Sequence, residues 1–255
     1  MKKILLVDND RIILGLLSKS LNKKGYQVIT AEDGLAALDV LKTYTPDIML
    51  IDLIMPNIDG RMLCSIIRSM DKFKHTYLII LSAISAEEWI DISKLGANAC
   101  IAKGPFDEMN QHILAAIDQP ESTAARCLSG EVLGVQSVYP RGITEELLLV
   151  KKHFEVILER MSEGIVEINS QGRIIFANSS ILSLIGKSEK DLLGSYFVDL
   201  FSGDDRSRIF NLIKTKGSKN KLITEDTPLL LSNSQITLNI LPSKENESNS
   251  LIVLH

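Results

Sequence analysis

Five short apolar runs, separated by stretches of helical period, constrain what the first half of this chain can fold into. The runs fall near 3–7, 27–30, 48–52, 77–81 and 99–102. Helical stretches fall near 11–23, 34–43, 60–69, 86–94 and 106–118. Runs such as Ile48-Met49-Leu50-Ile51 and Leu78-Ile79-Ile80-Leu81 have no polar alternation. They suit strands buried on both faces. Strands alternating with helices predict an α/β fold, a doubly wound parallel sheet of five strands covered on both sides.

The strand ends carry the chemistry. Asp52 closes the third run at the edge where open α/β sheets bind ligands. Pro56 and Gly60 then mark a turn before the next helix. The first run, Ile4-Leu5-Leu6-Val7, ends at Asp8. If the two strands are parallel neighbours, Asp8 and Asp52 meet. Their repulsion is eased by a divalent cation, and oxygen ligands suit magnesium. Asp10, just before Arg11-Ile12-Ile13-Leu14, reads as a helix N-cap. The fourth run ends in Ser82-Ala83 and the fifth at Lys103. A hydroxyl and an ammonium at neighbouring strand ends can bind an anionic group carried on Asp52.

These motifs make residues 1–118 resemble the receiver domain of bacterial two-component response regulators. The residues that carry the likeness are Ile4–Asp8, Asp52 with Met55-Pro56 and Asp59-Gly60, Leu81-Ser82-Ala83, and Gly96–Ala99 running to Lys103. The resemblance implies a flavodoxin-like sheet of order 2-1-3-4-5. It implies that Asp52 accepts a phosphoryl group from a histidine kinase. Asp8, Asn9, Asp52 and the Ile54 carbonyl would form the magnesium site. Ser82 and Ala83 would meet the phosphoryl oxygens, and Lys103 would pair with the acyl phosphate. Such a carboxylate is a weak nucleophile, so transfer depends on position and charge neutralisation.

Three departures from the family pattern stand out. Asn9 replaces the second acid of the usual pair, and a neutral amide binds a hard cation less strongly. Cys100 occupies the position of the aromatic switch residue, so the usual ring rotation has no ring. Gly104 separates Lys103 from Pro105.

The chain has 255 residues, enough for two domains, and 45% are hydrophobic. Its net charge of −4 argues against a broad nucleic-acid or membrane surface. No stretch approaches the ~18 apolar residues of a membrane span, and the N-terminus does not read as a signal peptide. Cys64, Cys100 and Cys127 are odd in number and unpatterned, as in a reducing cytoplasm.

Residues 119–141 are small and polar and read as a linker, in which Leu133 and Val135 are candidates to dock on a neighbouring surface. In the connecting helix, 142–161, Ile143, Leu147, Val150, Phe154, Ile157 and Met161 alternate steps of four and three. That spacing is a heptad seam of about two and a half repeats, suited to a parallel dimer.

Residues 162–255 change character. Gly164–Asn169 and Arg173–Asn178 alternate as two strands about the turn Ser170-Gln171-Gly172. Short helices follow at Ser179–Ile185 and Lys190–Leu193, then strands at Gln235–Ile240 and Leu251–Leu254. This order predicts an α+β domain with an antiparallel sheet. The region resembles a PAS domain through Met161–Ile165, Gly172–Asn178, Leu184-Ile185-Gly186 and Asp191–Gly194. It holds no cysteine, and neither His255 nor His153 of the connecting helix is placed to ligate haem, so neither a cysteine-linked flavin nor haem is expected.

The combined expectation is a cytoplasmic response regulator, a phosphoacceptor rather than an enzyme, with at most weak autophosphorylation and autodephosphorylation. Its partners would be a cognate histidine kinase or phosphotransfer protein and a second copy of itself, without DNA or membrane. Two other readings are the sensory front of a larger histidine kinase or cyclic-nucleotide enzyme, and an unphosphorylated receiver acting as an interaction scaffold.

Overall fold

The computed structural model describes residues 1–82, 95–120, 123–124, 127, 132–134, 153–214, 221–223, 228–232, 234–242 and 249–255. The chain divides into two compact units, Met1–Leu148 and Leu149–His255. The expected helix at 86–94, Ala83 and Val135, and the seam positions Ile143, Leu147 and Val150, lie outside the described residues.

The first unit is built on strands β1 (Lys3–Val7), β2 (Gln27–Ala31), β3 (Ile48–Asp52), β4 (Tyr77–Ser82) and β5 (Ala99–Ala102). They form one sheet in the order β2-β1-β3-β4-β5, parallel throughout. Helices α1 (Arg11–Lys23), α2 (Gly34–Thr43), α3 (Gly60–Ser69) and α4 (Phe106–Asp118) connect or follow these strands. Side chains alternate across a strand. Ile4 and Leu6, Ile48 and Leu50, Ile79 and Leu81 therefore line one face, where they join Leu14, Leu17 and Leu21 of α1 and Met109 and Ile113 of α4 in a buried cluster. Every residue of β3 is buried, as the unbroken apolar run requires.

Aspartates start three of the helices. Asp10 Oδ1 accepts from the Ile12 and Ile13 amides at 2.8 and 3.3 Å, Asp33 Oδ1 from Ala36 at 2.7 Å, and Asp59 Oδ1 from Met62 at 2.9 Å. Each satisfies amides that the first helical turn leaves without intrahelical partners. Asp10 therefore faces its own helix, while Asp8, two residues earlier, is free to serve the strand end.

The linker reading of 119–141 is corrected at several described positions. Thr123, Cys127 and Leu133 are buried in the first unit. Leu133 forms a parallel bridge with Ile101: its amide donates to the Cys100 carbonyl at 2.9 Å, and its carbonyl accepts from Ala102 at 2.8 Å. A single apolar residue thus extends the open edge of the sheet. The sequence marked Leu133 as a residue that could dock, without showing where.

In the second unit a helix over 153–159 precedes strands β6 (Gly164–Ile168) and β7 (Ile174–Ala177). Helices Ser179–Ile185, Glu189–Leu192 and Gly203–Lys214 follow. Strands β8 (Lys221–Ile223), β9 (Leu229–Leu231), β10 (Ser234–Ile236), β11 (Leu238–Pro242) and β12 (Ser250–Leu254) complete it. The main sheet has the order β7-β6-β12-β11-β8, all antiparallel, and β9 pairs with β10 separately. Two sequence expectations change here. Gln235–Ile240 is not one strand: it breaks at Thr237, whose amide and carbonyl both bond His255, and its halves join different sheets. Met161 lies beyond the connecting helix, which ends at 159 with turn bonds from Arg160 to Ile157 and from Met161 to Leu158.

Candidate functional site

The carboxyl ends of β1 and β3 are adjacent because Val7 pairs with Ile51. Asp8 and Asp52 each follow one of those residues. Both are buried, Asp8 fully and Asp52 to 5% exposure. Lys103, one residue past β5, reaches over both. Its Nζ lies 2.7 Å from Asp8 Oδ2 and 3.0 Å from Asp52 Oδ2. Three side chains from three strand ends therefore meet at one point.

Ser82 joins through the backbone. It is the last residue of β4, fully buried and paired with Ala102, and its carbonyl accepts from the Lys103 amide at 2.7 Å. This bond fixes where the lysine leaves the sheet. Ile54 contributes its amide, which hydrogen-bonds the Asp52 carboxylate. Asn9 is exposed beside buried Asp8. Cys100 lies in the middle of β5, buried, with its Sγ 2.7 Å from Cys127 Sγ. The sequence offered no signal for that last contact, since neither the spacing nor any motif links the two cysteines.

The loop after β3 is held close by two glycines. A Cβ on Gly60 would run into the Asp52 carbonyl oxygen, and one on Gly34 into the Ile58 carbonyl. Asn57 takes a positive φ of 62° and its Nδ2 donates to Asp33 Oδ2. The start of α3 is thereby pressed against the strand end that carries Asp52.

Two carboxylates and one ammonium leave a negative charge in excess in a buried place. The Asp52 carboxyl is accordingly pushed up to about 6: burial raises it most, the Lys103 ammonium opposes this, and the Asp8 carboxylate adds to it. Asp8 Oδ2 is buried and has no hydrogen bond beyond its ion pair with that ammonium. Among the described residues no group of three or more His, Cys, Asp or Glu side chains gathers. The pair of acids, with the excess charge and the under-partnered Asp8 oxygen, fits a hard cation that keeps part of its water.

A family model for the response regulator receiver domain matches residues 4–117, and one for the PAS fold matches 152–228. The alkaline phosphatase synthesis transcriptional regulatory protein PhoP of Bacillus subtilis is 31% identical over 173 residues, which cover 62% of this chain and 70% of PhoP. The chain belongs to the response regulator receiver family. Sporulation initiation phosphotransferase F of Bacillus subtilis is 38% identical over 107 residues, 42% of this chain and 84% of that protein. Transcription factor SKN7 of Saccharomyces cerevisiae is 37% identical over 110 residues, 43% of this chain but only 17% of SKN7. The solved receiver domain of Francisella response regulator 1452 is 31% identical, with a TM-score of 0.43, over 48% of this chain and 99% of that one.

The PAS domain has its own buried polar centre. Asn178 is fully buried. Its Oδ1 accepts from the Ile165 amide at 2.9 Å and the Ile181 amide at 3.2 Å. Its Nδ2 donates to the Leu158 and Glu163 carbonyls, both at 2.9 Å. One amide side chain thus joins β6, the helix Ser179–Ile185, the entry to the domain and the end of the connecting helix. Phe154 and Ile157 of that helix are exposed, and Met161 is half-buried.

Proposed function

We propose that the protein is a two-component response regulator in which Asp52 accepts a phosphoryl group from a histidine kinase or phosphotransfer protein. The observation that carries this reading is the Lys103 ammonium set between Asp8 and Asp52. It supplies fixed positive charge where an acyl phosphate would develop negative charge. The Asp52 carboxylate would attack phosphorus and the bond to the donor would break. Lys103 would hold the new phosphoryl oxygens, with Ser82 and Ala83 meeting them on the other side. Asp8, Asn9, Asp52 and the Ile54 carbonyl are the candidates to hold magnesium, which when bound supplies charge neutralisation at the transferring group. The chain itself would act as phosphoacceptor, not as an enzyme with an external substrate.

Phosphorylation at Asp52 would bias the receiver between two forms, and the connecting helix, which ends at 159, would carry that bias to the PAS domain. The seam of Ile143, Leu147, Val150, Phe154 and Ile157, without Met161, supports a parallel homodimer as the readout. Exposure of Phe154 and Ile157 is consistent with a face that a second copy covers. A cytoplasmic place fits a kinase partner, and no described helix is long and apolar enough to cross a membrane.

Incubation of the full chain with magnesium and acetyl phosphate tests the reading. Intact mass should rise by one phosphoryl group, and Asp52→Asn should abolish the gain. A mass gain that survives this substitution contradicts the assignment. A second reading, an unphosphorylated scaffold, is favoured by Asn9, which leaves only two carboxylates at the site. Complete lack of reaction in the wild-type chain would select it.

A further inference from the structure

The neighbourhood of Cys100 holds more than the phosphoacceptor reading uses. Cys100 lies on β5, the open edge of the receiver sheet, and Cys127 approaches it from the segment that follows α4. Their sulfurs stand 2.7 Å apart, about 0.7 Å beyond a covalent S–S bond. Both thiols are buried, at 3% and 2% exposure. Cys127 Sγ also lies 3.8 Å from the Ala97 carbonyl. The same segment is tied down on either side of Cys127. Before it, the Tyr77 hydroxyl donates to the Pro120 carbonyl at 3.3 Å, and Thr123 Oγ1 to the Gln119 carbonyl at 2.9 Å. After it, Leu133 bridges β5. The backbone therefore returns the two sulfurs to the same place without help from a covalent bond.

We propose that Cys100 and Cys127 form a reversible disulfide that clasps the segment carrying Cys127 and Leu133 onto the β5 edge. The proposal does not depend on phosphorylation at Asp52. In a reducing compartment such a bond is transient and serves as a response to oxidant. A peroxide supplies the oxidising equivalents. The thiolate of Cys127 attacks one peroxide oxygen, the O–O bond breaks, and the departing oxygen leaves as water after protonation. The sulfur of Cys100 then attacks the sulfenic sulfur, the S–S bond forms, and the thiol proton of Cys100 passes to the departing hydroxyl, which leaves as a second water. The two sulfurs lose two electrons in all, and the peroxide is reduced to water.

The hydrogen bond shared by the two sulfurs lowers the Cys127 thiol below its ordinary value, against burial, while Cys100 is raised by the same bond and by burial. Oxidant reaches them through local opening of the Leu133 bridge, which has two backbone hydrogen bonds. Cys64 provides an internal control. It is fully buried, its thiol is pushed up to about 12 by burial, and it acts on Cys100 through its charge rather than through a sulfur–sulfur hydrogen bond.

The folded full chain, purified reduced, is treated with hydrogen peroxide, blocked with N-ethylmaleimide and mapped by mass spectrometry. The expected product is a single cross-linked peptide joining Cys100 to Cys127, lost on adding dithiothreitol, with Cys64 still reduced. Amide exchange at Ala102 and Leu133 should slow by about tenfold in the oxidised chain, and should not slow in peroxide-treated Cys127→Ser. No cross-link, a cross-link to Cys64, bonds only between chains, or unchanged exchange in the cross-linked chain would each overturn the proposal.

Discussion

Each domain buries a polar centre, and the two are built to opposite ends. In the PAS domain, Asn178 is neutral and uses both donors and its acceptor oxygen, with four backbone partners at 2.9 to 3.2 Å. In the receiver, Asp8 and Asp52 share one ammonium and leave an oxygen under-partnered and a charge unmatched. A fully satisfied buried group stabilises and specifies a fold. An unmatched buried charge costs stability and is retained where another ligand completes it. The contrast separates a centre whose polar groups are all partnered from one left with an unmatched charge, where the proposed transfer would take place.

The largest effect should come from breaking the satisfied centre. Asn178→Ala leaves two buried amides and two carbonyls without that partner and should destabilise the PAS domain by at least about 3 kcal/mol. Urea unfolding monitored in that domain would measure it, and a loss below ~1 kcal/mol would mean that water replaces the amide. The same substitution frees the Leu158 carbonyl, so the end of the connecting helix should exchange its amides faster.

The opposite sign is expected at the other centre. Asp52 has a folded carboxyl near 6 against an ordinary 3.8. The folded state therefore holds a proton that the unfolded chain has already lost between these values. The associated stability is present in full below about pH 4 and is lost as pH rises through about 6. Asp52→Asn removes that loss and should stabilise the magnesium-free receiver by about 2–3 kcal/mol at pH 8, with little difference from wild type at pH 4. Paired urea titrations at the two pH values decide this. For the proposed transfer the sign is favourable to high pH: the nucleophilic carboxylate grows as pH rises, and with magnesium present phosphorylation should rise over a range below about pH 6.

Gly60→Ala should cost about 2 kcal/mol, because the new methyl group meets the Asp52 carbonyl and not a flexible side chain. Thermal unfolding gives the cost, and phosphorylation should slow as the strand end shifts. The smallest change in stability is expected for Phe154→Ser with Ile157→Ser. Both residues are exposed, so the folded protomer should change by no more than about 0.5 kcal/mol. Sedimentation should nonetheless show a weaker dimer. An unchanged sedimentation profile would remove the seam from the account.

The receiver was legible because its signals are short in range and strong. Short unbroken apolar runs bounded by turn residues suit strands buried on both faces, and Asp10 before Arg11 caps a helix in the structure as it does in the pattern. The meeting of Asp8, Asp52 and Lys103 followed from strand ends alone, given parallel pairing. What the sequence hid depends on long-range partners. Leu133 could be named as a residue that docks, but only the unfilled edge of β5 shows where. Cys127 pairs with Cys100 across the same edge with no spacing to announce it. Gln235–Ile240 alternates as one strand, yet its break at Thr237 is set by the last residue, His255.

The central claim, that the receiver buries an excess negative charge which a cation completes, is tested most directly at the Asp52 carboxyl itself. Its carbon resonance can be followed against pH in the full chain, with and without magnesium. The account predicts a midpoint near 6 without the ion, a clear fall when magnesium is added, and a rise in Lys103→Met. A midpoint at the ordinary carboxylate value, unmoved by magnesium or by loss of the lysine, would contradict it.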